Sequence, residues 1–259
     1  MFYVSGQFDL LQNSGYHIIK FLARQHMLSV ITLVTFEVII LIMSVVIHEV
    51  AHGVAAFWQG DLTAKYAGRL TLNPFKHLDL YGSFIVPLIM IWTVGISFGW
   101  AKPVPYNPYN LRNQKTGPAL VGIAGPISNI IIAIIFGLAA RFLAVNYMSK
   151  VDIVTNLFNM NFENLVISVS GSFSAIFFLI FSMIALINIL LAFFNLIPIP
   201  PLDGSKLLFA ILPISTRTQI VMEQMGFVFL LLFIFVFSNF LGVFLSFVRS
   251  AFFYYIVGV

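Results

Sequence analysis

The chain has 259 residues, 60% hydrophobic and only 8% charged, with 13 Lys+Arg, 9 Asp+Glu and a formal net charge of +4. A soluble globular domain carries roughly a quarter of its residues as charges, so this composition defines an integral membrane protein, and its thin positive charge leaves no basic patch for nucleic acid. With no Cys, disulfides, thiolate zinc sites, iron–sulfur ligation and a cysteine nucleophile are excluded, and any metal must be held by His, Asp or Glu.

In chain order, Lys20, Arg24 and the polar run QNSG interrupt any apolar core in residues 1–26, which read as an N-terminal interfacial amphipathic helix rather than a signal peptide. Apolar windows follow at 27–47 (broken only by Glu37), 80–101, 116–140, 164–202 and 224–248. Each reaches the roughly 20 residues that span a bilayer. The window 164–202 is too long for one helix and opens on SVSGSFS, so its helix is placed at about 173–195, ahead of Pro198 and Pro200. Window 80–101 contains Gly82, Pro87, Gly95 and Gly99, which suits a segment that folds back within the membrane. The Phe-rich window 224–248 is expected to face lipid and carry no chemistry. The expected fold is all-α and polytopic: about four transmembrane helices, a re-entrant segment and the interfacial helix, with residues 27–259 as one membrane-embedded domain.

Chemistry begins at VVIHEVAHGVAAF, where His48, Glu49 and His52 form an HExxH pattern. Residues four apart share a helix face, so two imidazoles can bind one zinc while the intervening carboxylate reaches the catalytic water. Three ionisable groups converging in an apolar helix are costly and therefore functional by default. A third ligand is needed. Asp203, in NLIPIPPLDGSK, is the best candidate: three prolines end the preceding helix there and Gly204 permits close backbone approach. Asp203 could instead cap the short helix SKLLFAIL, and His77 and Asp79 in NPFKHLDLYG are rival ligands. Glu37 lies eleven residues before His48, about 16 Å along a helix, too far to share its metal.

HEVAH in one membrane helix, GIAGPISN in a later one and NLIPIPPLDG closing another resemble the site-2 protease family of intramembrane zinc metalloproteases. The loops GRLTLNPFKHLDLYG and FGWAKPVPYNPYNLRN resemble its compact bacterial branch, and the likeness spans residues 44–212. It implies His48, His52 and Asp203 as ligands of one zinc per chain, Glu49 as catalytic base, and Asn129 and Asn195 as polar groups for the substrate backbone or oxyanion. It also implies a single-span membrane protein as substrate. Two departures are visible: Leu80 stands where the branch often has Pro, and there is no PDZ or CBS module.

For His48, His52 and Asp203 to meet, their helices must run parallel, so one of the two intervening windows does not cross, and 80–101 is the better candidate. Lys65, Arg69, Lys76, Lys102, Arg112, Lys115, Lys206 and Arg217 then share one face, eight cations of 13. The positive-inside rule puts that face, and the zinc end, on the cytoplasmic side of a bacterial cytoplasmic membrane. The strand-like run YAGRLTLN after the HEVAH helix, or the re-entrant segment, is expected to pair with an unwound substrate. A cation transporter is the first rival, but no second HEVAH-like or LDG-like half provides the internal symmetry of that class. An inactive membrane-partner binder is the second, and the lesion it needs, a lost Glu49 or ligand, is absent. Oligomeric state is not encoded in any motif.

Overall fold

The computed structural model describes residues 5–79, 85, 92, 102–212 and 214–259, with side chains from Met27 onward except at Thr216. The window 80–101 expected to re-enter the membrane lies outside the described residues, save for two isolated positions. All regular structure among the described residues is helical. Helix α1 (Ser5–Trp58) runs without a break from the expected interfacial segment into the first span. It is followed by α2 (Thr63–Tyr66), α3 (Gly117–Arg141), α4 (Tyr147–Phe158), α5 (Phe162–Val169), α6 (Phe173–Asn195), α7 (Gly204–Ile211), α8 (Thr216–Gln224) and α9 (Gly226–Phe252). Single 3-10 turns occupy Pro74–Lys76 and Pro108–Asn110, each started by an Asn side chain that accepts from the second residue of the turn.

Among the described residues, four stretches are long and apolar enough to cross a membrane: Met27–Trp58, Gly117–Arg141, Phe173–Asn195 and Gly226–Val257. The third has the bounds expected from its flanking punctuation. Ser172 and Gly171, the latter at φ +76°, precede it, and the proline-rich turn follows. In α9 the outward residues Phe235, Phe240 and Phe247 are exposed, as a lipid-facing helix requires.

The chain divides into two compact units. The first takes Met1–Ile39 and Leu143–Ile180. Within it, Ser168 on α5 donates to the Asp152 carboxylate on α4, and the Lys150 ammonium lies 5.4 Å from the Phe178 ring centroid. The second unit, Ile40–Phe142 with Phe181–Gly258, contains every motif singled out above within the described residues.

Cross-helix bonds give the directions within the second unit. Passing down α1 from Ser44 to His52, the partners on α3 move from Asn129 back to Val121, so α3 is antiparallel. On α6 and beyond they advance from Asn188 to Asp203, so α6 is parallel. The chain also leaves α1 and enters α3 at the same end, because the Arg112 amide donates to the Gln59 carbonyl at 3.0 Å. Small residues set the spacing. A Cβ on Gly122 would lie 2.9 Å from Lys206 Cδ and 3.1 Å from the Asp203 carbonyl oxygen, so α7 rests directly on the α3 backbone. A Cβ on Gly226 would lie 2.9 Å from Pro201 N, so the start of α9 braces the proline turn from its other side.

The run YAGRLTLN (66–73), expected to be strand-like, opens on the last residue of α2 and is irregular from there on. The Arg69 amide folds back to the Ala64 carbonyl as the end of α2, and Gly68 takes φ +64°. Local helix termination outcompetes the β-propensity of the residues that follow.

Candidate metal centre

His48 and His52 stand one turn apart on α1, their rings edge-on with centroids 4.6 Å apart, and one ligand atom from each of His48, Glu49 and His52 falls within 4.8 Å of the others. Asp203 closes the group. Its Oδ2 lies 2.9 Å from His48 Nε2 and 3.1 Å from His52 Nε2, and the three side chains are 4–7% exposed. Asp203 does precede α7 as its cap residue, yet its side chain makes no capping bond to that helix. The carboxylate is turned to the imidazoles instead. Lys206, one turn into α7, holds the other oxygen, Oδ1, at 3.1 Å and has its ammonium 5.6 Å from the Tyr106 ring centroid. Burial alone would raise the Asp203 carboxyl, but the hydrogen bonds from His48 and His52 and the Lys206 charge hold it far below the usual carboxylate range. Burial opposes the Lys206 charge in the same way, and the Asp203 carboxylate overrides it and raises the ammonium.

The donor set itself indicates a cation. His52 Nδ1 lies 2.7 Å from the Val121 carbonyl, which only accepts, so Nδ1 carries a proton and leaves Nε2 to face Asp203 Oδ2. His48 is arranged likewise, with Nδ1 2.5 Å from Asn129 Oδ1. Deprotonated at Nε2, the two imidazoles would offer lone pairs beside the Asp203 oxygen in a buried site, a donor set complementary to a divalent cation. Two His and one carboxylate are a known catalytic zinc set, with a fourth position left for water. Residues His48, His52 and Asp203 therefore fit zinc. A Cβ on Gly125 would fall 2.5–2.6 Å from atoms of both rings, so only glycine lets α3 pass the imidazole edges.

Glu49 faces a different neighbour. Its Oε2 accepts the Val104 amide at 2.9 Å, from the stretch that follows the undescribed window. That stretch, 102–112, is fastened along its length. The Lys102 amide donates to the His77 carbonyl and the Arg112 amide to the Gln59 carbonyl, while the fully buried Asp61 accepts from the Asn107 amide, from Asn110 Nδ2 and from both the amide and hydroxyl of Thr63. Burial would raise the Asp61 carboxyl, but these bonds hold it below its ordinary value.

Of the other expected residues, His77 is buried with Nε2 2.8 Å from the Thr71 carbonyl, and neither it nor Asp79 belongs to the His48–Glu49–His52 group. Asn195 ends α6 and gives one amide hydrogen to the Leu191 carbonyl on its own helix. The sequence reading did not single out Ser44, Val104, Asp61, Asn188 or Lys206 as site residues. Ser44 lay on the i, i+4 stripe that runs to His48 and His52, and Asn188 was a lone amide in a charge-free helix. Both were signals of a buried polar contact, though not of which one.

A helical membrane protein with a two-histidine, one-carboxylate site beside a glutamate is of the zinc-dependent intramembrane protease class, a metalloendopeptidase that works on transmembrane substrates within the lipid bilayer. The chain belongs to peptidase family M50, whose model matches residues 36–233. It is 38% identical over 206 residues, 79% of this chain and 82% of the relative, to "Putative zinc metalloprotease YwhC" of Bacillus subtilis (strain 168). It is 31% identical over 102 residues, 39% of this chain and 38% of the relative, to "Putative zinc metalloprotease Rip2" of Mycolicibacterium smegmatis. No solved structure matches.

Proposed function

We propose that this protein hydrolyses a peptide bond in single-span membrane proteins at the cytoplasmic side of a bacterial cytoplasmic membrane, with His48, His52 and Asp203 holding one zinc and Glu49 as general base. The convergence of both Nε2 atoms on Asp203 Oδ2 carries this reading. Zinc, when bound, acidifies water and polarises the scissile carbonyl. The chain's own residues do the rest. Glu49 takes a proton from the attacking water and hands it to the leaving nitrogen, with the Val104 amide fixing Oε2 so that the second oxygen serves as acceptor. Asn195 keeps a second amide hydrogen beyond the one given to Leu191, and we assign that donor to the substrate backbone or oxyanion. The adjacent ends of α1 and α3 support the view that 80–101 turns back rather than crossing once. Eight of 13 Lys and Arg then share the zinc end, which supports its cytoplasmic placement.

Metal content per chain tests the reading without a known substrate. About one zinc is expected in wild type, in His77→Ala and in Glu49→Gln, with loss or strong weakening in Asp203→Ala. Glu49→Gln should in addition abolish cleavage of a membrane-tethered substrate. Zinc that survives loss of Asp203 but not of His77 would overturn the ligand assignment.

A further inference from the structure

The amide that the resemblance offers to the substrate is already in use. Asn129 is fully buried, its Nδ2 lying 2.6 Å from Asn188 Oδ1 and 3.3 Å from the Ser44 carbonyl. Both amide hydrogens therefore have acceptors inside the helix bundle. The orientation is not a free choice, because the network is anchored on the backbone carbonyls of Ile40, Ile184 and Ser44, which can only accept. Ser44 Oγ donates to the Ile40 carbonyl at 2.7 Å, so it receives a hydrogen from Asn188 Nδ2 at 2.8 Å. Asn188 Nδ2 gives its other hydrogen to the Ile184 carbonyl at 2.9 Å, which leaves Asn188 Oδ1 toward Asn129. Asn129 in turn must present its nitrogen to Asn188 and the Ser44 carbonyl, and its oxygen to His48 Nδ1. Flipping either amide would put two donors or two acceptors face to face at buried positions, at about 1–3 kcal/mol for each unsatisfied group.

We propose that Asn129, locked by Asn188 and Ser44, is the orienting group of His48: the relay Ser44–Asn188–Asn129 keeps the proton on Nδ1 and directs the Nε2 lone pair at the metal. Asn129, Asn188 and Ser44 are positioning residues, none of them a donor to the substrate. The inference rests on the assignment of His48 as a zinc ligand. It extends that assignment through three helical positions on α1, α3 and α6 that converge by tertiary contact, and it matches the general finding that ligating imidazoles are held through their other nitrogen.

The test measures zinc affinity of the purified full-length protein by competition with a chelator, alongside thermal unfolding of the zinc-free protein and cleavage of a membrane-tethered substrate at limiting and saturating zinc. Asn188→Leu and Ser44→Ala should weaken zinc binding about 10–100-fold. Cleavage should fall at limiting zinc and recover substantially at saturating zinc. Asn129→Asp, which keeps an acceptor for His48 Nδ1 but loses both amide hydrogens, should bind zinc more tightly than Asn129→Leu, with cleavage reduced at limiting zinc and recovering at saturating zinc. An oxyanion donor would show the opposite: Asn129→Asp inactive, and zinc affinity indifferent to Asn188 and Ser44. That result would overturn the proposal. Should Asn188→Leu fail to fold, Ser44→Ala, which removes a single oxygen at the far end of the relay, decides alone. His48→Ala separates the two levels. Undiminished zinc affinity there defeats the ligand assignment itself, whereas lost affinity there with unaffected relay variants defeats only the relay.

Discussion

The candidate zinc site, assembled from α1, α3 and the turn after α6, tolerates little at its contact points, and Gly125 is among the tightest of these. Its Cα hydrogen faces His48 Nε2 and both outer ring atoms of His52 at a separation that a methyl group would close to 2.5–2.6 Å. Those rings cannot retreat, because His52 is tied to the Val121 carbonyl and His48 to Asn129. Gly125→Ala is therefore expected to displace the imidazoles, lowering zinc affinity at least about tenfold and destabilising the zinc-free protein by about 1–3 kcal/mol, the usual cost of overpacking. Chelator competition and thermal unfolding measure the two effects. Gly242→Ala is the control: it is a helical glycine with nothing within 4 Å of the added methyl, and it should change neither. At this scale the candidate ligands were legible because His and acidic residues are so scarce in the chain that HEVAH and LDG stand out. The relay was not, because an Asn in a charge-free helix announces that it has a buried partner but says nothing of which helix supplies it.

The stretch 102–112 acts as a strap over the α1 end of the site. It contributes the Val104 amide to Glu49, and its anchor is Asp61, whose four hydrogen bonds join the α1–α2 turn to residues 107 and 110. Asp61→Asn replaces an acceptor by a donor facing the Asn107 amide or Asn110 Nδ2. The strap should loosen, so cleavage should slow by about tenfold, the lower end of effects from groups that orient a site, while zinc stoichiometry is unchanged. Zinc-loaded variant with full activity would show that Val104 needs no such anchor. The same residue sets a pH dependence. The folded carboxyl is held below its ordinary value, so ionised Asp61 stabilises the protein fully at pH values above the usual carboxylate range, and that contribution is lost as pH falls through the lower folded value. Thermal unfolding measured from about pH 5 to about pH 3 should therefore fall more steeply in wild type than in Asp61→Asn. Element boundaries divide along similar lines. Phe173–Asn195 was readable because polar residues and prolines bracket it. The run 67–72 misled because its composition favours a strand, whereas the αL position at Gly68 and the end of α2 decide its backbone.

For the whole molecule, the placement of the site in the membrane follows from parity. The four spans alternate in direction only if the residues between α1 and α3 return to the side they left, and the bond from the Arg112 amide to the Gln59 carbonyl brings those two helix ends together. That contact supports the proposal that residues before and after 80–101 share one aqueous compartment. Under that proposal Lys65, Arg69, Lys76, Lys102, Arg112 and Lys115 gather with Lys206 and Arg217 at the proposed zinc end, the distribution that the positive-inside rule assigns to the cytoplasm. The absence of cysteine makes the arrangement directly measurable, since every introduced thiol is the sole reactive one. Tyr66→Cys and Tyr109→Cys, at exposed positions on either side of the window, should both react with a membrane-impermeant maleimide in inverted vesicles and not in intact cells. Met148→Cys, exposed beyond the far end of α3, should show the reverse. Labelling of Tyr66→Cys and Tyr109→Cys from opposite sides would require residues 80–101 to cross the bilayer once. A single crossing there would reverse α3 and α6 relative to α1, against the order of contacts that brings Asn188 to Ser44 and Asp203 to His52.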